Sequence, residues 1–181
     1  MKKIAFIGDS ITEGFIELNK IPNVVNMGVS GNRTLEVIER LAEVKSTNPN
    51  VVFLLIGAND LLTNNHIYFS GHPISIKTTY EFIVRYLINN LDHPEIYLIS
   101  ILPMAGLGLV SRNDEGKLNQ QIDEFNLFIS SLAKQHNLTY LDINPDFKDG
   151  NRMNYTLTSD GLHLNKAGYE IFLNKIKKFL N

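Results

Sequence analysis

Residues 51–56 read Val-Val-Phe-Leu-Leu-Ile, and the four residues that follow read Gly-Ala-Asn-Asp. An apolar run of this length suits a strand and is far too short to span a bilayer. Because the run does not alternate with polar residues, it is typical of a parallel strand buried on both faces. Four further apolar runs, most of them rich in Ile and Val, occupy residues 3–7, 24–27, 96–101 and 138–141.

Segments of helical period separate these runs. Apolar side chains recur every three or four residues within 34–44, 80–91 and 118–132, and in a last segment from about Lys166. Thr34 is the predicted N-cap of the first segment, and Asn137 a left-handed stop after the third. The alternation predicts an α/β protein, a three-layer α/β/α sandwich whose five-stranded parallel sheet has the flavodoxin-like order 2-1-3-4-5. In such sheets ligands bind at the carboxyl ends of the strands.

Composition limits the class of protein. The chain has 181 residues, of which 44% are hydrophobic and 20% charged, and we expect a single domain over residues 1–181. A formal net charge of −2 argues against nucleic acid as a partner, and the absence of cysteine excludes a thiolate nucleophile and cysteine-bound metals. Only four apolar residues follow Lys2 and Lys3, so no signal peptide is recognised and the cytoplasm is the expected location.

The first predicted strand is followed at residues 8–14 by the sequence GDSITEG. Ser10 would lie at the mouth of the crevice, near a helix N-terminus whose N–H groups favour a developing negative charge. Neither the Walker phosphate loop nor the dinucleotide-binding motif fits, because the glycine spacing differs and no lysine follows. Taken alone, a Gly-Asp-Ser turn is also explained by local hydrogen bonding.

A second candidate group, Asp160 and His163, lies before the last helix. On one helical turn a three-residue spacing puts both side chains on the same side. The carboxylate can then accept a hydrogen bond from Nδ1 of the imidazole and leave Nε2 as the base that a hydroxyl nucleophile requires. The alternative is that Asp160 only caps the final helix.

Two candidate donors for an oxyanion hole follow other strands. Asn59 comes after the third strand, and Gly28 after the second, where a glycine leaves its backbone N–H unobstructed. Each alone is also explained by the needs of a turn. Nucleophile, donors and the Asp/His pair nevertheless converge on one rim of the sheet. Their chain order, Ser then Asp then His, is that of hydrolases built on parallel sheets.

Four blocks together resemble those of the SGNH hydrolase superfamily, also called GDSL hydrolases. They are GDSIT at 8–12, NMGVSG at 26–31, GAND at 57–60 and DGLH at 160–163. The resemblance runs from the first strand to the last helix and implies a serine esterase that needs no cofactor or metal. It implies Ser10 as nucleophile, His163 as general base and Asp160 as the acid that orients it. The oxyanion hole then comprises the Ser10 N–H, the Gly28 N–H and the Asn59 side chain.

The loops expected to select the substrate are 61–73, 103–116 and 143–159. The first is mostly polar and includes Tyr68, and the second pairs a small apolar stretch at 104–110 with Ser111 and Arg112. Polar loops that carry aromatic residues suit a hydroxylated substrate, and no lid for a long acyl chain is recognised. We therefore expect a small-molecule ester with a short acyl group, acetyl first, on a carbohydrate. The alternatives are a lysophospholipase or thioesterase for longer chains and, from another class, a flavodoxin-like nucleotide- or flavin-binding module. Asp9 and Glu13 in the would-be phosphate loop disfavour that module.

Four other side chains have two interpretations each. Arg33 and Arg112 could hold an acidic group of the substrate, although surface arginines are the simpler reading. His66 and His72 are six residues apart in a polar loop without carboxylates nearby, which favours solvated histidines over a metal site. The sequence does not predict an oligomeric state.

Overall fold

The structure is a computed structural model that describes residues 2–63, 67–69, 72–106 and 112–180, with only the backbone of 67–69, 72–73 and 112–115. Its main sheet has five parallel strands, which are β1 Ile4–Gly8, β2 Val24–Gly28, β3 Val51–Leu55, β4 Glu95–Ile99 and β5 Thr139–Leu141. Their order in the sheet is β2-β1-β3-β4-β5. The predicted fold class and strand order are confirmed.

Helices flank this sheet. Within the described ranges the α-helices are α1 Ser10–Glu13, α2 Thr34–Glu39, α3 Leu41–Thr47, α4 Ala58–Thr63, α5 Ile76–Asn90, α6 Arg112–Gln135 and α7 Lys166–Ile176. Short 3₁₀ helices cover Ile16–Lys20, Asn144–Phe147, Tyr155–Leu157 and Lys177–Phe179. Two small hairpins pair Ile67–Phe69 with His72–Ile74 and Lys148–Asp149 with Arg152–Met153. None of the described helices is long and apolar enough to cross a membrane.

The helix predicted over residues 34–44 is interrupted at Arg40. This residue has φ −109° and ψ 14°, outside the helical range, and separates α2 from α3. Its guanidinium donates to the carbonyl oxygens of Gly8 at 3.0 Å and Met27 at 2.9 Å. Because Gly8 is the last residue of β1 and Met27 the last but one of β2, Arg40 joins the carboxyl ends of the two strands.

The N-terminus of α2 also differs from the prediction. Arg33, not Thr34, is the N-cap, and its backbone N–H donates to the Glu36 carboxylate at 2.8 Å. Thr34 is the first helical residue, and its N–H and hydroxyl both donate to the buried carboxylate of Asp60. The start of α2 is thereby tied to α4. Asn137 has φ 56°, the left-handed conformation predicted after α6.

The core lies against the central strands. Every residue of β1 and β3 is buried, as their unbroken apolar runs predict. Phe6, Phe53 and Tyr97 stack across three neighbouring strands, with ring centroids 4.4 and 4.7 Å apart. Phe179, which follows α7, packs on the last of these rings at 4.9 Å. α1 and α4 follow the carboxyl ends of two of these strands, β1 and β3.

Candidate active site

Ser10 is the first residue of α1, the four-residue helix directly after β1. Asp9 is its N-cap, and its Oδ1 accepts a hydrogen bond from the Ile11 N–H at 3.0 Å. This cap satisfies one of the free N–H groups of the first turn. Ser10 therefore stands at the carboxyl edge of the sheet on a turn whose direction is set by the neighbouring carboxylate.

Two glycines allow α1 to lie directly on the strand ends. A Cβ atom on Gly8 would come within 2.0 Å of Thr12 Oγ1, and one on Gly28 within 2.1 Å of the Glu13 nitrogen. No side chain fits at either contact, since real Cβ atoms do not approach below 3.0 Å. The position of Ser10 thus depends on glycine at the last residues of both β1 and β2.

Asp160 and His163 lie in a tight turn and not on the helical turn that we predicted. Gly161 has φ 92°, and Asp160 Oδ1 accepts hydrogen bonds from the N–H groups of Leu162 at 2.9 Å and His163 at 2.8 Å. Asp160 does not cap the final helix either, because Asn165 does so. The turn still brings the two side chains together.

His163 bridges Asp160 and Ser10. Its Nδ1 is 2.6 Å from Asp160 Oδ2, and its Nε2 is 2.9 Å from Ser10 Oγ. Burial raises the pKa of Asp160, but the hydrogen bonds from the His163 side chain and backbone outweigh it and hold that pKa below its usual value. Asp160 is therefore ionised at neutral pH. A carboxylate beside Nδ1 selects the tautomer that carries its proton there, so Nε2 is free to accept from Ser10.

Two contacts fix this turn from other parts of the chain. The Ala105 N–H donates to the Gly161 carbonyl at 2.9 Å. The Thr158 hydroxyl donates to the His163 carbonyl at 2.7 Å. Gly161 is needed here, because a Cβ would lie 2.4 Å from the Ala105 oxygen. Neither Ala105 nor Thr158 carries a signal in the sequence that would have identified it as a support of the site.

The predicted oxyanion donors are in different situations. Asn59, on α4, donates from Nδ2 to the Asn32 carbonyl at 2.9 Å, and its second amide hydrogen has no acceptor among the described residues. The Gly28 N–H, in contrast, donates to Asn26 Oδ1 at 2.9 Å, so this donor is already engaged. Asn26 also donates to the Thr12 carbonyl at 2.7 Å and so connects β2 to α1.

Another glycine of the same block offers a free N–H. In the part of the chain that the structure describes, the N–H groups of Ser10 and Gly31 have no hydrogen-bond acceptor. Gly31 has φ 77° and lies in a turn closed by a bond from the Asn32 N–H to the Val29 carbonyl at 3.1 Å. Gly31 is the second glycine of the NMGVSG block and is not among the donors predicted from the sequence. Gly31 directly precedes Asn32, whose carbonyl accepts the hydrogen bond from Asn59.

The sequence also suggested Arg33, Arg112, His66 and His72 as candidates. Arg33 pairs with Glu36 at 2.6 Å, so its guanidinium is engaged within its own helix. The side chains of Arg112 and His72, and all of His66, lie outside the described residues. Within the described residues, no three His, Cys, Asp or Glu side chains are grouped so that they could hold a metal ion.

The fold and the three hydrogen-bonded side chains together indicate a class of protein. A serine, a histidine and an aspartate connected by hydrogen bonds at the carboxyl edge of a parallel sheet are the arrangement found in hydrolases of α/β architecture. The family follows from comparison with known sequences. Residues 6–171 match the GDSL-like Lipase/Acylhydrolase family, and the chain belongs to it.

Individual proteins resemble the chain over nearly its whole length. N-acylneuraminate cytidylyltransferase of Streptococcus agalactiae is 28% identical over 180 residues, which are 94% of this chain but 38% of that protein. A GDSL-like lipase from Bacteroides thetaiotaomicron is 25% identical with a TM-score of 0.83, covering 99% of this chain and 87% of that one. An acetylxylan esterase from Geobacillus stearothermophilus, at 21% identity, shares the fold with a TM-score of 0.74 over 99% and 94% of the two chains.

Proposed function

We propose that this enzyme is a serine esterase that removes a small acyl group, acetyl in the first instance, from a carbohydrate. The observation that carries the proposal is the pair of hydrogen bonds that runs from Asp160 through His163 to Ser10. A hydroxyl that donates to a neutral imidazole, itself oriented by a carboxylate, is the arrangement that activates serine as a nucleophile.

The proposed reaction has two steps. In the first, Ser10 Oγ attacks the ester carbonyl while His163 Nε2 takes the hydroxyl proton. The same nitrogen then gives that proton to the leaving alcohol as the carbon–oxygen bond breaks, which leaves an acyl group on Ser10. In the second step His163 takes a proton from water, the water oxygen attacks the acyl group, and Ser10 regains its proton as the acid departs. Asp160 stabilises the imidazolium that forms in each step.

Three donors would stabilise the negative charge on the carbonyl oxygen. We assign the Ser10 N–H, the second amide hydrogen of Asn59 and the Gly31 N–H to this task. Gly31 replaces Gly28 in the assignment, because the Gly28 N–H donates to Asn26 whereas the Gly31 N–H has no acceptor in the described part of the chain. Removal of one donor in such a site costs about 10²–10³ in rate, so Asn59→Ala is expected to lose that much.

The substrate class is supported by the names of similar proteins. One relative is named for N-acylneuraminate, a sugar, and one structural neighbour for acetylxylan, an acetylated polysaccharide. The exposed half of the His163 and Asp160 side chains is consistent with a substrate that approaches from solvent. A short acyl group on a hydroxylated, water-soluble alcohol fits such an open site better than a long chain that needs burial.

A panel of esters tests the proposal. Hydrolysis of p-nitrophenyl esters from acetyl to decanoyl, and acetate release from acetylated xylose, are measured with the wild type, Ser10→Ala and the control Ser46→Ala. Ser46 is an exposed serine on α3, so its loss leaves the site intact. We expect the wild type to hydrolyse the acetyl ester fastest. Activity should be abolished in Ser10→Ala and retained in Ser46→Ala. A maximum at long chains would refute the acetyl assignment, and activity in Ser10→Ala would refute the serine mechanism.

A further inference from the structure

Asp9 is a fully buried carboxylate of which one oxygen has no partner. The residue is 1% exposed, and Oδ1 accepts from the Ile11 N–H while Oδ2 has no hydrogen bond among the described residues. Burial of a charge without full pairing is costly. An N-cap needs a single acceptor oxygen, which Ser or Asn supplies without a charge. Capping of α1 therefore does not explain why a carboxylate stands here.

The groups that act electrostatically on Asp9 include a histidine and a second carboxylate. His163 lowers the pKa of Asp9, whereas Asp60, on α4, raises it. The charge of Asp9 contributes to the raised pKa of Tyr169, on α7, whose hydroxyl donates to the Ile11 carbonyl at 2.9 Å. Burial raises the pKa of Tyr169 to about 12, so this side chain is neutral at working pH. His163 favours the ionised form of Asp9, and it becomes charged during the proposed reaction.

We propose that Asp9 is a positioning residue that also stabilises protonated His163 when Ser10 attacks the ester. This inference rests on the proposed function. Asp160 touches His163 directly, but its side chain is 48% exposed, so water screens its charge. Asp9 lies one residue from the nucleophile and is buried, so its charge acts through the protein interior, where electrostatic effects are stronger. The two carboxylates thus support one imidazolium, one from the solvent side and one from the interior.

The inference predicts a particular pH dependence. Burial raises the pKa of Asp9 to about 6. As the pH falls through that value, Asp9 takes up a proton and its support for the imidazolium ends. The acid limb of the kcat/KM profile then contains the protonation of Asp9 in addition to that of the general base. In the wild type we expect this limb to fall more steeply than a single ionisation allows.

Asp9→Asn and Asp9→Ser test the inference, because each retains an acceptor for the Ile11 N–H without a charge. Glu17→Gln is the matched control. Glu17 also has a buried oxygen without a partner among the described residues and also acts on Tyr169, but it is not among the main groups that shift the pKa of Asp9. Kinetics with p-nitrophenyl acetate from pH 5 to 9, with thermal unfolding of each variant, give the readout. We expect kcat to fall about tenfold in both Asp9 variants at unchanged KM, and their acid limbs to become single ionisations.

The results distinguish a failure of the inference on Asp9 from a failure of the proposed function. If Ser10→Ala is inactive but both folded Asp9 variants keep the kcat and the steep acid limb of the wild type, the inference is overturned and the proposed function stands. If Ser10→Ala remains active, the proposed function fails and the inference fails with it. A loss of kcat in Glu17→Gln equal to that in the Asp9 variants would also overturn the inference, because any buried acid near Tyr169 would then suffice.

Discussion

Gly28→Ala tests how closely the position of Ser10 depends on the contact between α1 and β2. The added Cβ would lie 2.1 Å from the Glu13 nitrogen and 2.6 Å from the Thr12 carbonyl carbon. Both atoms are backbone, so no side-chain rotation relieves the overlap. Since ordinary contacts begin at 3.4 Å, α1 has to withdraw by more than 1 Å.

A shift of this size would remove Ser10 from its partner. The Ser10 Oγ to His163 Nε2 distance of 2.9 Å would grow beyond hydrogen-bond range. Misplacement by about 1 Å costs roughly 10²-fold in rate, so we expect kcat on p-nitrophenyl acetate to fall by about that factor. The overpacked contact is expected to lower the free energy of unfolding by about 1–3 kcal/mol.

The assay compares kcat and urea unfolding of Gly28→Ala with those of Gly116→Ala. A Cβ on Gly116 meets nothing within 4 Å, and the residue lies inside α6. The control is therefore expected to keep full activity and to gain about 0.5–1 kcal/mol, because alanine favours the helix. A folded Gly28→Ala enzyme with kcat within about twofold of the wild type would refute the reasoning that this glycine contact positions the nucleophile.

Two further predictions concern stability. Burial raises the pKa of Asp9 from the ordinary 3.8 to about 6, so its contribution to stability is present below pH 4 and lost as the pH rises through 6. Asp9→Asn should thus unfold like the wild type near pH 4 and be more stable by about 3 kcal/mol at pH 8; equal urea midpoints at both pH values would contradict this. Asn126 holds the N–H and carbonyl of Ile101 at 2.7 and 2.9 Å, and Asn126→Ala should lower the free energy of unfolding by about 2–4 kcal/mol. A urea midpoint within error of the wild type would rule out that role.

The central strands could be predicted because burial on both faces leaves an unbroken apolar run. β1 and β3 are buried throughout, and their runs predicted the bounds to within one residue. The break at Arg40 could not be predicted in this way. It depends on two carbonyls at the ends of β1 and β2, which are distant in the sequence. The two hairpins were missed as well, since strands of two or three residues carry too little pattern.

In the candidate site too, a contact within a short stretch of sequence could be predicted, whereas one that depends on distant residues could not. The spacing of Asp160 and His163 predicted their contact even though the turn is not helical, because the contact depends only on a local reversal. The use of the Gly28 N–H depends instead on where the Asn26 side chain points. That orientation follows from its second bond, to the Thr12 carbonyl on another element. No sequence pattern predicts that orientation.

The most direct test of the central claim is covalent labelling with diethyl p-nitrophenyl phosphate, which phosphorylates activated serines. The fraction of protein that carries the label is measured by intact mass, its position by peptide mapping, and the remaining esterase activity in the same samples. We expect one label per molecule on Ser10, a loss of activity equal to the labelled fraction, and no label in Ser10→Ala. Label on another residue, or full esterase activity in protein labelled at Ser10, would contradict the account.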